Sequence, residues 1–207
     1  MKEHWEKLFS SKSTTELSWY QPYPVVSMSF IESLDLPLDA AIIDVGGGDS
    51  LLVDALLEKG FTNIYVLDIS AAALENAKSR LGVRALGVHW IVSDITEFIP
   101  PVQFDCWHDR AAFHFLTDPA QVQKYTRIAA GAVKPGGQLI IGTFSEEGPI
   151  RCSGLEIRQY NAGSLCSCFQ PFFSCDTSLQ VNHYTPSGAE QNFIFCSLSR
   201  EKGDDIK

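Results

Sequence analysis

The sequence predicts an α/β sandwich, with a mostly parallel sheet buried on both faces and a C-terminal antiparallel hairpin. Three observations carry this. Short apolar runs of strand-like composition alternate with helix-compatible segments between residues 41 and 142. The first run enters a glycine turn, I-I-D-V-G-G-G-D-S at 42–50, and the second stops on an acid, Asp68. The last third then changes character, with two strand-like runs flanking a Pro186-Ser187-Gly188 turn.

The elements follow in order. Residues 3–10 fit a short amphipathic helix with Trp5, Leu8 and Phe9 on its apolar side. Residues 11–24 carry Ser, Thr and Pro and read as an ordered arm or lid. Residues 1–24 thus precede a core at 25–198. A helix over 25–34 ends near Leu36-Pro37. Residues 41–45 are strand one, 50–59 a helix closed by Gly60, and 64–67 strand two. Ser70 caps a helix over 70–81. Strand three covers 88–92 and strand four 104–107. A helix over 119–133 opens on Pro119, with Asp118 as its cap. Pro135-Gly136-Gly137 turns the chain into strand five, 138–142. Residues 145–154 read as loop, 161–168 as a short helix, and 179–185 and 192–198 as the hairpin strands. A flexible polar tail is expected at 199–207. Without a repeat, linker or low-complexity tract, the chain reads as one domain.

Charge and hydropathy exclude several classes. The net charge of −9 disfavours a nonspecific nucleic-acid surface, and no Lys/Arg block offsets it. No window of 18 uninterrupted apolar residues is present, so no membrane span is expected. The N-terminus, MKEHWEKLF, has no signal-type apolar run, which makes the cytoplasm the expected location. The cysteines are Cys106, Cys152, Cys166, Cys168, Cys175 and Cys196. They contain no C-x-x-C pair, so no metal site is expected. Nor are disulfides expected in a cytoplasmic protein. Four cysteines between 152 and 175 leave a soft, thiophilic acceptor such as arsenite open, beside the plainer reading as reduced thiols in and near the core.

The glycine turn and the acid point to a nucleoside. Glycines let backbone approach a ligand closely, and a carboxylate at the next strand end accepts ribose hydroxyls, as in a Rossmann-like half-fold. Asp68 lies 22 positions after Gly46, counting 68 minus 46. Gly46 and Gly48 fit the first two positions of G-x-G-x-x-G, but Leu51 holds the third, which argues against NAD. There is no G-x-x-x-x-G-K-[ST] element, so a P-loop is excluded. The plain alternatives are local: Asp44 bonding to nearby amides, Asp68 capping a helix, and Asp94 serving a turn.

The segment 41–142 resembles the class I S-adenosylmethionine-dependent methyltransferases. The resemblance rests on D-V-G-G-G-D-S at 44–50, Asp68, S-D-I at 93–95 and V-K-P-G-G at 133–137. It extends over roughly residues 25–198. It implies a Rossmann-like, mostly parallel seven-stranded sheet with S-adenosyl-L-methionine as cofactor. Asp44, Gly46, Gly48, Asp68, Ile69, Asp94 and Ile95 become the cofactor-binding candidates. Asp44 would organise the loop and face the cofactor's charged end. Asp94 and the Ile95 amide would meet adenine. Ser50 stands where the family loop has its third glycine, and a small residue still fits.

A narrower likeness follows. W-H-D-R-A-A-F-H-F-L at 107–116 is similar to a group that includes thiopurine-methyltransferase-like and protein-lysine-methyltransferase-like enzymes. It puts His108 and Asp109 against the methionine part of the cofactor. His4-Trp5, Phe9 and S-W-Y at 18–20 resemble that group's N-terminal cover, where Trp19 would meet the sulfonium by cation–π attraction. The catalytic candidates are Asp109, His114 and His183. Asp109 would attract a cation, unless Arg110 pairs with it and stiffens the loop. His114 would steer or deprotonate an acceptor. His183 opens H-x-T-P-x-G-x-x-Q at 183–191 and would orient one. Structural roles compete for both histidines. The loop at 151–155 is a further acceptor-side candidate. A small-molecule acceptor, a thiol or other soft nucleophile, is favoured. A basic protein segment offering lysine is the runner-up, and a noncatalytic nucleoside-binding scaffold the third reading. Oligomeric state stays open.

Overall fold

The computed structural model describes residues 1–201. Seven strands form one sheet in the order β3-β2-β1-β4-β5-β9-β8. The central five are β1 (Ile42–Val45), β2 (Ile64–Asp68), β3 (Val88–Val92), β4 (Phe104–Arg110) and β5 (Val133–Phe144). These pair in parallel, while β8 (Phe173–Tyr184) and β9 (Glu190–Arg200) add an antiparallel edge. A separate pair of two-residue strands, β6 (Arg151–Cys152) and β7 (Leu155–Glu156), begins within the segment read as loop, 145–154, and ends two residues past it.

Alternation along the strands feeds two cores. Ile42, Ile64, Cys106 and Ile140 face one layer. It contains residues of α1 (Lys2–Ser11), α2 (Val25–Glu32), α3 (Leu52–Glu58) and α4 (Ala71–Leu81). Ile43, Leu67, Trp107 and Leu139 face the other layer. That one contains residues of α5 (Pro119–Ala132) and α6 (Ala162–Phe169). Local signals explain the starts: Ser70, Asp118 and Asn161 accept from the first-turn amides of α4, α5 and α6.

Several expected boundaries change. β4 runs to Arg110 rather than 107, so His108, Asp109 and Arg110 extend a strand instead of forming a loop. Pairing with residues 140–142 of β5 holds them there. β8 starts at Phe173, six residues before the expected 179. β9 continues to Arg200, so the expected tail at 199–207 begins too early: Ser199 pairs with Gln138 and Arg200 Nε donates to the Ala130 carbonyl at 2.9 Å. The rest of that tail, 202–207, lies outside the described residues. The expectation of no disulfide is also overturned, because Cys166 and Cys175 are bonded. α6 and β8 bring them together across nine positions, a proximity their sequence spacing does not announce.

Candidate active site

One cavity opens at the C-terminal ends of β1, β2, β3 and β4. Asp44, residues 46–50, Asp68, Ile69, Asp94, Ile95, His108 and Trp19 all line it. Thus each residue proposed from sequence for cofactor contact borders the same space. Asp109, His114 and His183 do not line it.

The glycine loop carries the close approach. Gly46 has φ +65°, and a Cβ there would stand 2.3 Å from the Ala112 Cβ. Gly48 has φ +51°, and its Cβ would stand 3.2 Å from an Asp68 carboxylate oxygen. Only glycine reaches both conformations without strain. Arg80 fixes the loop from outside. Its guanidinium donates to the Asp49 carboxylate, to the Ser50 carbonyl at 2.9 Å and to Asp54 at 2.8 Å.

The carboxylates have distinct settings. Asp44 Oδ1 lies 2.8 Å from His108 Nδ1, and His108 Nε2 lies 2.9 Å from Ser27 Oγ on α2. All three side chains are buried. This hydrogen-bonded chain ties β1, β4 and α2 together beneath the cavity. Asp68 accepts from the Ser70 amide at 2.7 Å. Burial pushes its pKa up to about 7, against the pull of the Ser70 amide, while Asp44 and Glu6 add repulsion. A carboxylate raised by burial gains from further donors, which ribose hydroxyls would supply. Asp94 is exposed and accepts from Thr96 N at 2.9 Å and Thr96 Oγ1 at 2.8 Å, fixing its orientation.

The opposite wall comes from the arm. Trp5, Phe9 and Trp19 meet edge-on or tilted, with Trp5–Trp19 centroids 5.9 Å apart and Phe9–Trp19 centroids 6.0 Å apart. Trp5 also meets Phe115 at 5.0 Å. Four polar side chains hold this roof. Glu6 accepts from the Ala71 and Ala72 amides, at 2.8 and 3.0 Å, and from Ser70 Oγ at 3.0 Å. Its carboxyl is held below the ordinary range by the Ala72 amide first, against desolvation. Thr14 Oγ1 donates to Asp49. Arg110 Nη1 donates to the Trp19 carbonyl at 3.0 Å, and His183 Nε2 bonds to the Ser18 carbonyl at 2.8 Å. Sequence reasoning missed Glu6, Ser27 and Arg80, since nothing near each residue in sequence marks its distant partner.

The sequence-based catalytic candidates sit behind the wall. Asp109 is fully buried and accepts from the Ala112 and Phe113 amides, at 3.0 and 3.1 Å, and from Tyr125 Oη at 2.7 Å. Burial raises its pKa to about 6 despite the Tyr125 bond. Asp109 therefore shapes the turn whose Ala111, Ala112 and Phe115 border the cavity. Arg110 does not pair with it. Its guanidinium stacks over Phe193 at 4.8 Å, and the buried Nη2 has no partner among the described residues. His114 is fully buried between Phe115 and Phe144, with its pKa lowered to about 3, first by burial and then by Arg110. His183 is lowered by burial, against the Ser18 carbonyl.

Comparison with known proteins agrees with this geometry. Residues 42–137 match the model of the family described as methyltransferase domain. The Mus musculus eEF1A lysine and N-terminal methyltransferase is 26% identical over 122 residues, spanning 58% of this chain and 17% of that protein. Malonyl-[acyl-carrier protein] O-methyltransferase 1 of Ilyobacter polytropus is 26% identical over 135 residues, 62% of this chain and 48% of that protein. The chain spans less than half the length of the curated relatives it matches. Among solved structures, one described for the conversion of a disulfide bond into a thioacetal group during echinomycin biosynthesis superposes with TM-score 0.78 at 15% identity, covering 99% of this chain and 93% of that one. The Burkholderia thailandensis 1,6-didemethyltoxoflavin-N1-methyltransferase, bound to its substrate and S-adenosylhomocysteine, gives TM-score 0.69 at 17% identity, covering 94% and 81%. Residues 42–137 are thus similar to a methyltransferase domain, and the chain shares the fold of solved S-adenosylmethionine-dependent methyltransferases.

Proposed function

We propose that this chain methylates a small molecule, a thiol or other soft nucleophile, inside a cavity roofed by the arm at 1–24. One observation carries the choice of acceptor. Arg110, which lines the cavity, ties down the aromatic roof through the Trp19 carbonyl and keeps a buried Nη2 without a partner among the described residues. A buried guanidinium favours an acceptor bearing a carbonyl or anionic group, and it repels a lysine ammonium. The structure described for echinomycin biosynthesis concerns the conversion of a disulfide bond into a thioacetal group, sulfur chemistry that supports a soft nucleophile as acceptor.

The residues fit the cofactor. Gly46 and Gly48 leave a cradle that side chains would fill, and Asp68 offers a buried carboxylate to ribose hydroxyls. Asp94 and Ile95 would meet adenine, with Ile69 beside the ribose acid. Asp44, held by His108, would face the amino-acid end, and Trp19 the sulfonium. When bound, S-adenosylmethionine supplies a methyl group activated on sulfur. The protein aligns the acceptor and excludes water. Asp109, His114 and His183 act here as positioning residues: Asp109 on the turn, His114 between two rings and His183 on the arm. The cytoplasm is the proposed compartment; four thiols are free, while Cys166 and Cys175 are bonded.

Protein lysine is the second reading, favoured by the likeness to the eEF1A lysine and N-terminal methyltransferase. Transfer of labelled methyl groups to fractionated small metabolites and proteins in parallel separates the two. Label in a soluble small product is expected. Label confined to one protein lysine would overturn the small-molecule reading.

A further inference from the structure

Three cysteine sulfurs, two of them joined as the Cys166–Cys175 disulfide, meet on the sheet face opposite α1–α4. The Sγ atoms of Cys166, Cys175 and Cys196 all lie within 4.8 Å of one another. They come from three elements: Cys166 from α6, Cys175 from β8 and Cys196 from β9. None borders the cavity described above.

Register explains the convergence. Cys196 pairs with Ser178, and Cys175 pairs with Leu198, so each pair shares one face of the sheet. Cys175 and Ser178 are three positions apart, which in a regular strand places them on opposite faces. The register shift between Cys175 and Thr177 absorbs one residue and returns Cys175 to the face of Cys196. α6 lies on that face through Leu165 and Phe169 and delivers Cys166. Cys196 is buried, Cys166 half-buried and Cys175 exposed, so the cluster has an apolar floor and an open side. The other cysteines have different surroundings. Cys168 Sγ bonds to the Ser164 carbonyl at 3.3 Å, Cys106 packs in the opposite core, and Cys152 borders the cavity.

We propose that these three cysteines, when reduced, form a binding site for a thiophilic cation of the zinc class, with a water or exogenous ligand at the fourth position. Sulfurs around a tetrahedral zinc stand about 3.8 Å apart, from Zn–S bonds near 2.3 Å. Once the disulfide is reduced, the Cys166 and Cys175 sulfurs move apart to reach this spacing, and Cys196 already lies within 4.8 Å of both. Binding converts three S–H groups into three S–metal bonds and releases three protons. The Cys166–Cys175 disulfide is the competing state. An external dithiol opens it by giving two electrons and two protons, itself becoming a disulfide. The metal site therefore exists only under reducing conditions.

The test uses the full chain, reduced with a dithiol and then freed of it anaerobically, and titrated with Cd2+. Sulfur-to-metal charge-transfer absorption should rise to one equivalent, and Zn2+ should displace it. The oxidised chain should show no band. Cys196→Ala should weaken binding by tenfold or more, and Cys168→Ser should leave it unchanged. If Cys196→Ala does not fold, Cys166→Ser, at a half-buried position, reads the same loss. Absence of the band in the reduced chain, or full-affinity binding in Cys196→Ala or Cys166→Ser, would overturn the proposal.

Discussion

The glycine-loop wall of the cavity is made from three successive strand ends, at 44–50, 68–69 and 94–95, whereas the arm wall joins residues as distant as Trp5, Trp19, Arg110 and Cys152. The first wall uses backbone conformation and carboxylates that local sequence must specify. The second uses aromatic packing and side-chain ties to carbonyls, with no fixed spacing. Cofactor recognition therefore leaves a pattern in the sequence, while acceptor enclosure leaves mainly composition.

The largest expected effect breaks the glycine-loop wall. Asp68→Ala removes an acceptor for two hydroxyl donors, each bond to a charged group being worth about 1.5–3 kcal/mol. Affinity for S-adenosylhomocysteine should fall by about 100-fold or more, read by calorimetry. An unchanged affinity would remove Asp68 from the site. The pH dependence sharpens this. Free Asp68 has its pKa raised to about 7, and ribose hydroxyls select the ionised form. Affinity should therefore rise with pH through about 7 and level off above it, and Asp68→Asn should flatten the profile. Stability of the free protein runs the other way. Between the ordinary carboxylate range and about 7 the folded state holds the extra proton, so this group's contribution is present below that window and is lost as pH rises through it.

Trp19→Ala opens the arm wall. It removes edge contacts with both Trp5 and Phe9. Turnover should fall about tenfold or more through lost alignment and water exclusion. S-adenosylhomocysteine affinity should change less than in Asp68→Ala. Equal losses in binding and turnover would make Trp19 a cofactor contact alone. An intact rate would remove the arm as a cover.

Legibility follows the same division. The strands from β1 to β5, the caps Ser70 and Asp118 and the approach at Gly46 were readable because each depends on neighbours in sequence. The extension of β4 to Arg110 was not, since its polar His108-Asp109-Arg110 end resembles a loop until Asp44, Tyr125 and the Trp19 carbonyl supply partners. The grip of Glu6 on α4 was hidden for a related reason. A glutamate on a charged surface helix announces nothing about three donors 64 to 66 positions away. Register also hid the three-cysteine cluster, because the shift after Cys175 reverses the face its spacing suggests.

Glu6→Gln tests that grip with a smaller effect. The amide still accepts a hydrogen bond, but the charge opposite the N-terminus of α4 is lost, worth about 0.5–1 kcal/mol. A lower Tm by a few degrees and a faster-exchanging α1 in hydrogen exchange are expected. Because the Glu6 pKa is lowered, wild type should lose this contribution as pH falls, and the variant should not. Equal exchange in α1 would show that packing of Trp5 and Phe9 alone holds the arm.

The smallest expected effect concerns His114, where the sequence suggested a base and the fold supplies a filler. Its ring packs on Phe115 and Phe144 at centroid distances of 4.6 and 4.7 Å. Its Nδ1 accepts only a long bond, 3.4 Å, from the Phe144 amide. With the pKa lowered to about 3, the imidazole stays neutral across the working range and has little tendency to take a proton from an acceptor. His114→Phe keeps the ring and gives up that weak bond, so the change in stability should be about 1 kcal/mol or less. Turnover should stay within about threefold of wild type, and the shape of its pH profile should be unchanged. Loss of a pH limb near neutrality, with cofactor affinity preserved, would instead place a proton on His114 during the reaction. The arm wall would then contain a working base behind the turn at 111–113, and its difference from the glycine-loop wall would be chemical as well as architectural.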